Sequence, residues 1–161
     1  MKIVTYPDPV LKKKIAKVKE IGEQELNLVR EMIETMLENN GVGLAANQIG
    51  VSRRVFVASP TMKRDDVLVL FNPRIIGKSG SVEDMEGCLS LPGITATVRR
   101  ANTVVVEGWD INGKTQKIKA TGLLARIIQH EVDHLNGKLF IHRLPFRERK
   151  KLLKEYFNKC G

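Results

Sequence analysis

The chain reads as an α+β protein. Its middle is rich in short β-type runs, and it is bracketed by stretches whose apolar residues fall at helical spacing. Within the middle, Asn112-Gly113 supplies a turn of the kind favoured between antiparallel strands. Late in the chain comes a third helical stretch, apolar enough to be buried.

Taken in order, Tyr6-Pro7-Asp8-Pro9 is a rigid, non-helical opening, because the two prolines exclude a regular ladder. The spacing of Leu26, Val29, Ile33, Met36 and Leu37 predicts a helix over Glu23 to Glu38, and Asn39-Asn40-Gly41 ends it. In Gly41-Val42-Gly43-Leu44-Ala45-Ala46-Asn47-Gln48, small residues crowd an apolar stretch that holds an isolated amide, Gln48. Tight interlayer packing and close approach of a ligand explain this equally well. It is not a phosphate loop, since the glycine spacing and the Lys-Ser/Thr pair are missing.

Val55-Phe56-Val57 and Val67 to Phe71 predict strands, the second closed by Asn72-Pro73, with another short strand at Ile75-Ile76 and a loop from Gly77 to Asp84. After Pro92 the pattern is that of a meander through Val98, Val104-Val105-Val106 and Gln116 to Ala120. A helix begins near Thr121 and stops at Asn136-Gly137. Leu139-Phe140-Ile141 is short and apolar. From Arg147 to Lys159, Leu152, Leu153, Tyr156 and Phe157 sit at helical spacing beneath a basic face.

At 161 residues a single domain, spanning 1–161, is expected, long enough to bury a core. The net charge of +9 favours a polyanionic neighbour such as RNA, and Arg143 to Lys159 contributes +5 of it. Two cysteines, Cys88 and Cys160, are too few for a disulfide framework and fit a reducing compartment. No apolar run approaches membrane-spanning length, and Met1 to Thr5 lacks the apolar region of a signal peptide. The expectation is a soluble cytoplasmic protein with no membrane or DNA partner.

The chemistry begins at His130-Glu131-Val132-Asp133-His134. Residues four apart share a helix face, so His130 and His134 can reach one metal ion while Glu131 acts on a water bound to it. A buried helix would carry all three polar side chains inward, which is costly unless a metal satisfies them. Catalytic zinc sites use three protein ligands and keep one position for water. The third histidine, His142, lies in a Phe-Ile-His-Arg context that reads as superficial, so Cys88 is the better third ligand. The metal lowers the pKa of its water, Glu131 takes the proton and returns it to a leaving amine, and fixed donors must meet the oxyanion. Gln48 and a backbone N–H near Leu89 are the candidates. A thiolate ligand suits Zn or Fe(II), and softness alone does not choose between them.

Gly41 to Gln48, Glu86-Gly87-Cys88-Leu89-Ser90 and His130 to His134 together resemble the three motifs of the peptide deformylases, in the same order and at similar separations. The opening Tyr6 to Leu11 and Gly137-Lys138-Leu139-Phe140 are similar as well, so the resemblance covers nearly the whole chain. It implies an α+β fold of antiparallel sheets packed around a central buried helix that carries the two histidines, with an N-terminal helix and a C-terminal basic helix. It also implies removal of the formyl group from the N-terminal formyl-methionine of new polypeptides, with release of formate.

By that resemblance Cys88, His130 and His134 hold one divalent ion, Fe(II) in the cell, with Zn(II) or Ni(II) able to replace it, and Glu131 is the general acid/base. Gln48 and the Leu89 N–H form the oxyanion site, Gly43 bonds the substrate backbone, and Val42, Leu123 and Ile127 line the methionine pocket. Some relatives dock a basic C-terminal helix on the ribosome, which marks Arg147 to Lys159 as an equivalent segment. Two departures stand out: Arg99 where many relatives have Pro, and Thr95 where some carry a peptide-binding Arg. The competing enzyme reading is a zinc peptidase on the same helix, which would take its third ligand downstream. A basic RNA-binding protein with a structural metal would need a fourth ligand and interleaved aromatics, and aromatics are 5% of residues. A deformylase-like protein without activity is disfavoured by the presence of Cys88, Glu131 and Gln48.

Overall fold

The structure is a computed structural model, and it describes residues 1–160. Helix α1 spans Glu23–Glu38 and buries Leu28, Val29, Met32 and Met36. Asn39 caps it, and Asn40, at φ 55°, turns the chain out, as the sequence predicts. Strands β1 (Gly43–Ala45) and β2 (Val55–Ala58) follow, joined by a 3-10 turn over Ala46–Ile49. Next come β3 (Leu68–Ser79), β4 (Val82–Cys88), β5 (Leu91–Arg100), β6 (Thr103–Trp109) and β7 (Thr115–Thr121). Helix α2 runs over Gly122–Leu135, a further 3-10 turn over Phe140–Arg143, and α3 over Phe146–Cys160; another 3-10 turn, Pro9–Lys12, precedes α1.

All strand pairs are antiparallel. Five strands form one sheet in the order β1-β2-β3-β6-β7, while β4 and β5 form a separate two-stranded ribbon. The hairpin expected at Asn112-Gly113 joins β6 to β7, with Gly113 at φ 78°.

Three expectations change. The chain does not stop at Asn72-Pro73, nor does a separate strand form at Ile75-Ile76, because β3 continues through both. Register shifts between Phe71 and Arg74 absorb the proline, whose missing N–H falls where the ladder is already broken. Asn72, at φ 52°, turns its amide onto Val18, accepting from its N–H at 2.7 Å and donating to its carbonyl at 2.9 Å. The loop expected from Gly77 to Asp84 is mostly strand. Finally, β5 leaves the meander and pairs with β4.

Helix α2 packs against β1, β2, β6 and β7. Ala125, Ile127, Ile128, Val132 and Leu135 meet Phe56, Leu70, Val104 and Val106 in one apolar cluster. It ends at the predicted place. Gly137 takes φ 78°, and a Cβ there would sit 2.6 Å from the Lys12 carbonyl oxygen, so only glycine fits. Helix α3 lies on β5, with the Tyr156 hydroxyl donating to the Tyr6 carbonyl at 2.7 Å. Among the described residues no helix is long and apolar enough to cross a membrane.

Candidate active site

The Glu-x-x spacing puts His130 and His134 one turn apart on α2, their Nε2 atoms 3.2 Å from each other. Cys88 arrives from the end of β4, where the register slips after Gly87 and the chain turns back into β5. Its Sγ lies 3.2 Å from His134 Nε2. These three donor atoms, from residues 42 or more positions apart in sequence at the Cys88 step, all lie within 4.8 Å of one another.

A group of donors so close is the pattern expected of ligands around one ion with bonds of about 2.0 to 2.3 Å. The fit extends outward. His130 Nδ1 contacts Glu86 Oε1 at 2.9 Å, the arrangement that fixes a ligating imidazole with its other nitrogen inward. The residues present therefore fit a divalent metal.

Gln48 is wholly buried in the 3-10 turn after β1. Its Oε1 accepts from the Ala45 N–H at 3.0 Å, which sets the amide so that Nε2 points to Ser90 Oγ, 3.1 Å away, and Cys88 Sγ, 3.5 Å away. Asn47 donates to the His134 carbonyl at 2.6 Å and ties the same turn to the end of α2. Glu131 is buried, and its Oε1 has no partner among the described residues. A Cβ on Gly43 would come within 2.5 Å of Glu131 Oε2, so glycine at this position is what leaves room for the carboxylate. Burial is the main cause that pushes the Glu131 carboxyl up, to about 7, against the opposing pull of His130.

A buried ionic network stands behind His130. Glu86 receives two bonds from Arg100, at 2.6 and 2.9 Å, and one from Arg126 at 2.5 Å. Arg100 continues to Asp133 at 2.8 Å, and Arg143 grips Asp133 at 2.6 and 3.0 Å. Burial alone would raise the Glu86 carboxyl, but hydrogen bonds from His130 and Arg100 overturn that and hold it near 2. Arg126 also donates to the Val98 and Val82 carbonyls, pinning both strands of the ribbon to α2.

All the site residues expected from sequence come together. A cleft of about 730 Å3 is lined by Val42, Gly43, Gln48, Cys88, Leu89, Leu123, Ile127, His130 and Glu131. His134 lies just beneath it, 1% exposed. His142 stands apart, its Nδ1 accepting from the Leu139 N–H. Sequence reasoning assigned no role to Glu86, Arg100, Arg126, Asp133 or Ser90. The available signal was Asp133 and Arg126 on the face of α2 that carries the histidines, where charge on a buried helix needs partners.

Two imidazoles and a thiol converging beneath an open cleft, beside a carboxylate with one oxygen unpartnered among the described residues, are the side chains that a mononuclear metal-dependent hydrolase requires. A family model described as polypeptide deformylase matches residues 1–150. A peptide deformylase of Thermodesulfovibrio yellowstonii is 45% identical over 161 residues, covering 99% of this chain and 98% of the relative. One from Dictyoglomus thermophilum is 51% identical over 136 residues, covering 84% and 87%. The crystal structure of a peptide deformylase from Legionella pneumophila superposes with a TM-score of 0.93 at 41% identity, covering 98% of this chain and 93% of that one. The chain belongs to the polypeptide deformylase family.

Proposed function

We propose that this enzyme hydrolyses the formamide at the N-terminal formyl-methionine of newly synthesised polypeptides, releasing formate and a free amine, at a centre held by Cys88, His130 and His134. The observation that carries the reading is the meeting of those three donors beside the buried Glu131, whose Oε1 has no partner among the described residues. Fe(II) is the ion we assign in the cell, with Zn(II) or Ni(II) able to take its place, since one thiolate and two imidazoles suit all three. When bound, the ion supplies Lewis acidity that lowers the pKa of a water and polarises the formyl carbonyl.

The protein side chains do the rest. Glu131 accepts a proton from the attacking water and delivers it to the nitrogen as the C–N bond breaks, a task suited to a carboxyl raised to about 7. Charge developing on the carbonyl oxygen is met by Gln48 Nε2, already fixed by Ala45 and Ser90, and by the Leu89 N–H. The Gly43 backbone, on an edge strand, bonds the peptide in extended form. Val42, Leu123 and Ile127 form an apolar wall for the methionine side chain. The chain works as one catalytic domain, with its sheets arranged around α2 and its location cytoplasmic. The basic segment Arg147 to Lys159 docks on the ribosome.

Glu131→Gln keeps the size of the side chain and the three donors but removes the proton carrier. We expect metal content to stay at one ion per chain while kcat on a formyl-Met peptide falls about 10²- to 10⁴-fold. An active variant would remove Glu131 from the mechanism. An internally cleavable peptide assayed alongside separates deformylation from proteolysis, because only the former is expected.

A further inference from the structure

About half of the basic excess lies outside α3, in another part of the chain. Lys12, Lys13, Lys14, Lys17 and Lys19, with no acid among them, contribute +5 within eight residues. They lie on the non-helical strap that leads from the 3-10 turn at Pro9–Lys12 toward α1. The strap is not a loose tail. Leu11, Ile15 and Val18 are buried, and all five lysines are exposed. Ile15 N–H donates to the Leu135 carbonyl at 2.8 Å, and Val18 is clasped by the Asn72 amide on both its N–H and its carbonyl. The charges are therefore presented on an ordered backbone.

This strap forms one wall of a second cleft, of about 820 Å3, which shares no lining residue with the active-site cleft. Lys14, Lys17, Arg54 and Arg74 line it, against a single acid, Glu107. Arg54 is buried, and among the described residues its guanidinium donates to neutral acceptors alone: the Ile15, Leu135 and Pro73 carbonyls and Asn136 Oδ1. Its charge is thus left to the cleft. Trp109, the last residue of β6, is half-buried and also lines the cleft. At the start of the strap, Lys12 joins Lys138 and the α3 residue Arg149 around His142, where burial together with these charges holds the imidazole down against the opposing pull of Asp133.

We propose that this strap and cleft bind the phosphate backbone of RNA. Concavity and an excess of positive charge, four basic side chains against one acid, suit a polyanion that can enter a groove. A bilayer surface would call for apolar side chains pointing outward, and those of the strap point in. The half-buried ring adds a stacking surface that an acidic protein would not use.

The test is fluorescence anisotropy of a labelled single-stranded RNA and an RNA hairpin against the full chain, over a series of salt concentrations. The triple variant Lys13→Glu/Lys14→Glu/Lys17→Glu should lose at least about tenfold in affinity near physiological salt, and its log–log salt slope on the single strand should flatten by about 2. The Lys→Arg triple variant should bind as the native chain does. Both should deformylate a short formyl-Met peptide normally, so this reading can fail while the proposed activity stands. A parallel set on α3, Lys150→Glu/Lys151→Glu/Lys154→Glu, should retain the strap's share of the slope. Unchanged RNA binding in the strap variant overturns the proposal. So does complete loss in the α3 variant alone, or equally tight binding of polyglutamate or anionic vesicles.

Discussion

Helix α2 has two faces that are held by different physics. On one, Ala125, Ile128, Val132 and Leu135 press against the five-stranded sheet, and β2 beneath them is buried at all four positions. On the other, Arg126, His130 and Asp133 meet the β4–β5 ribbon through ions and hydrogen bonds. Strand β4 buries only Glu86 fully, and Cys88 in part. The first face is held by apolar burial, which tolerates small changes of shape. The second is held by charges removed from water, which tolerate no missing partner. Cys88 rides on that second face, so the geometry of the proposed metal centre depends on the network and only indirectly on the core.

The largest effect should come from taking out the hub. Glu86→Ala leaves Arg100 and Arg126 buried without their shared carboxylate, and frees His130 Nδ1. We expect a loss of about 3 to 5 kcal/mol in denaturant unfolding of the metal-free protein. Metal affinity, measured by chelator competition, should fall about 10- to 100-fold. A variant that binds metal as tightly as the native chain would show that the ribbon does not orient His130.

Acid should act through the same carboxylate. Glu86 is held near 2, below its ordinary value of 4.5. Its folded pKa is the lower one, so its contribution is full above the unfolded value and disappears as pH falls from 4.5 toward 2. The shift corresponds to at most about 3 kcal/mol. Thermal unfolding of the metal-free protein across this range should steepen toward acid, and Glu86→Gln should flatten that limb. Parallel profiles for the two proteins would locate acid sensitivity elsewhere.

The apolar face should respond differently in kind. Ile128 is fully buried against the large sheet. Ile128→Val should cost about 0.5 to 1.5 kcal/mol and leave metal affinity where it was. If metal binding weakened in step with stability, the two faces would not be separable.

The same division explains what could be read from sequence. Helices α1 and α2 and the β6–β7 hairpin follow from periodicities and stop signals that are local, and the apolar face of α2 is written in Ala125, Ile128, Val132 and Leu135. The two histidines and Glu131 are local too, and the lone mid-chain Cys88 could be found because an open site needs a third ligand. Strand β4 was not legible because Val82-Glu83-Asp84-Met85-Glu86 has no apolar alternation to reveal it. Its partners Arg100 and Arg126 are 14 and 40 residues from Glu86, and no periodicity links them. The length of β3 was hidden by Asn72-Pro73, which signals an end in sequence but is absorbed by a bulge in the sheet.

The smallest effect tests the comparison most directly. Arg99 and Arg100 are neighbours on β5, and each holds a glutamate of β4 at 2.6 Å. Arg99 and Glu83 are 67% and 54% exposed at the side chain, whereas Arg100 and Glu86 are 3% and 5%. Equal distances therefore sit in unequal surroundings. Water already screens the outer pair and would solvate Glu83 if its partner were lost, so Arg99→Ala should change stability by less than about 1 kcal/mol and leave metal affinity unchanged. The inner carboxylate has no such refuge. If Arg99→Ala cost as much as Glu86→Ala in the same unfolding assay, contact distance rather than exclusion from water would be what holds the ribbon, and the contrast between the two faces of α2 would need another cause.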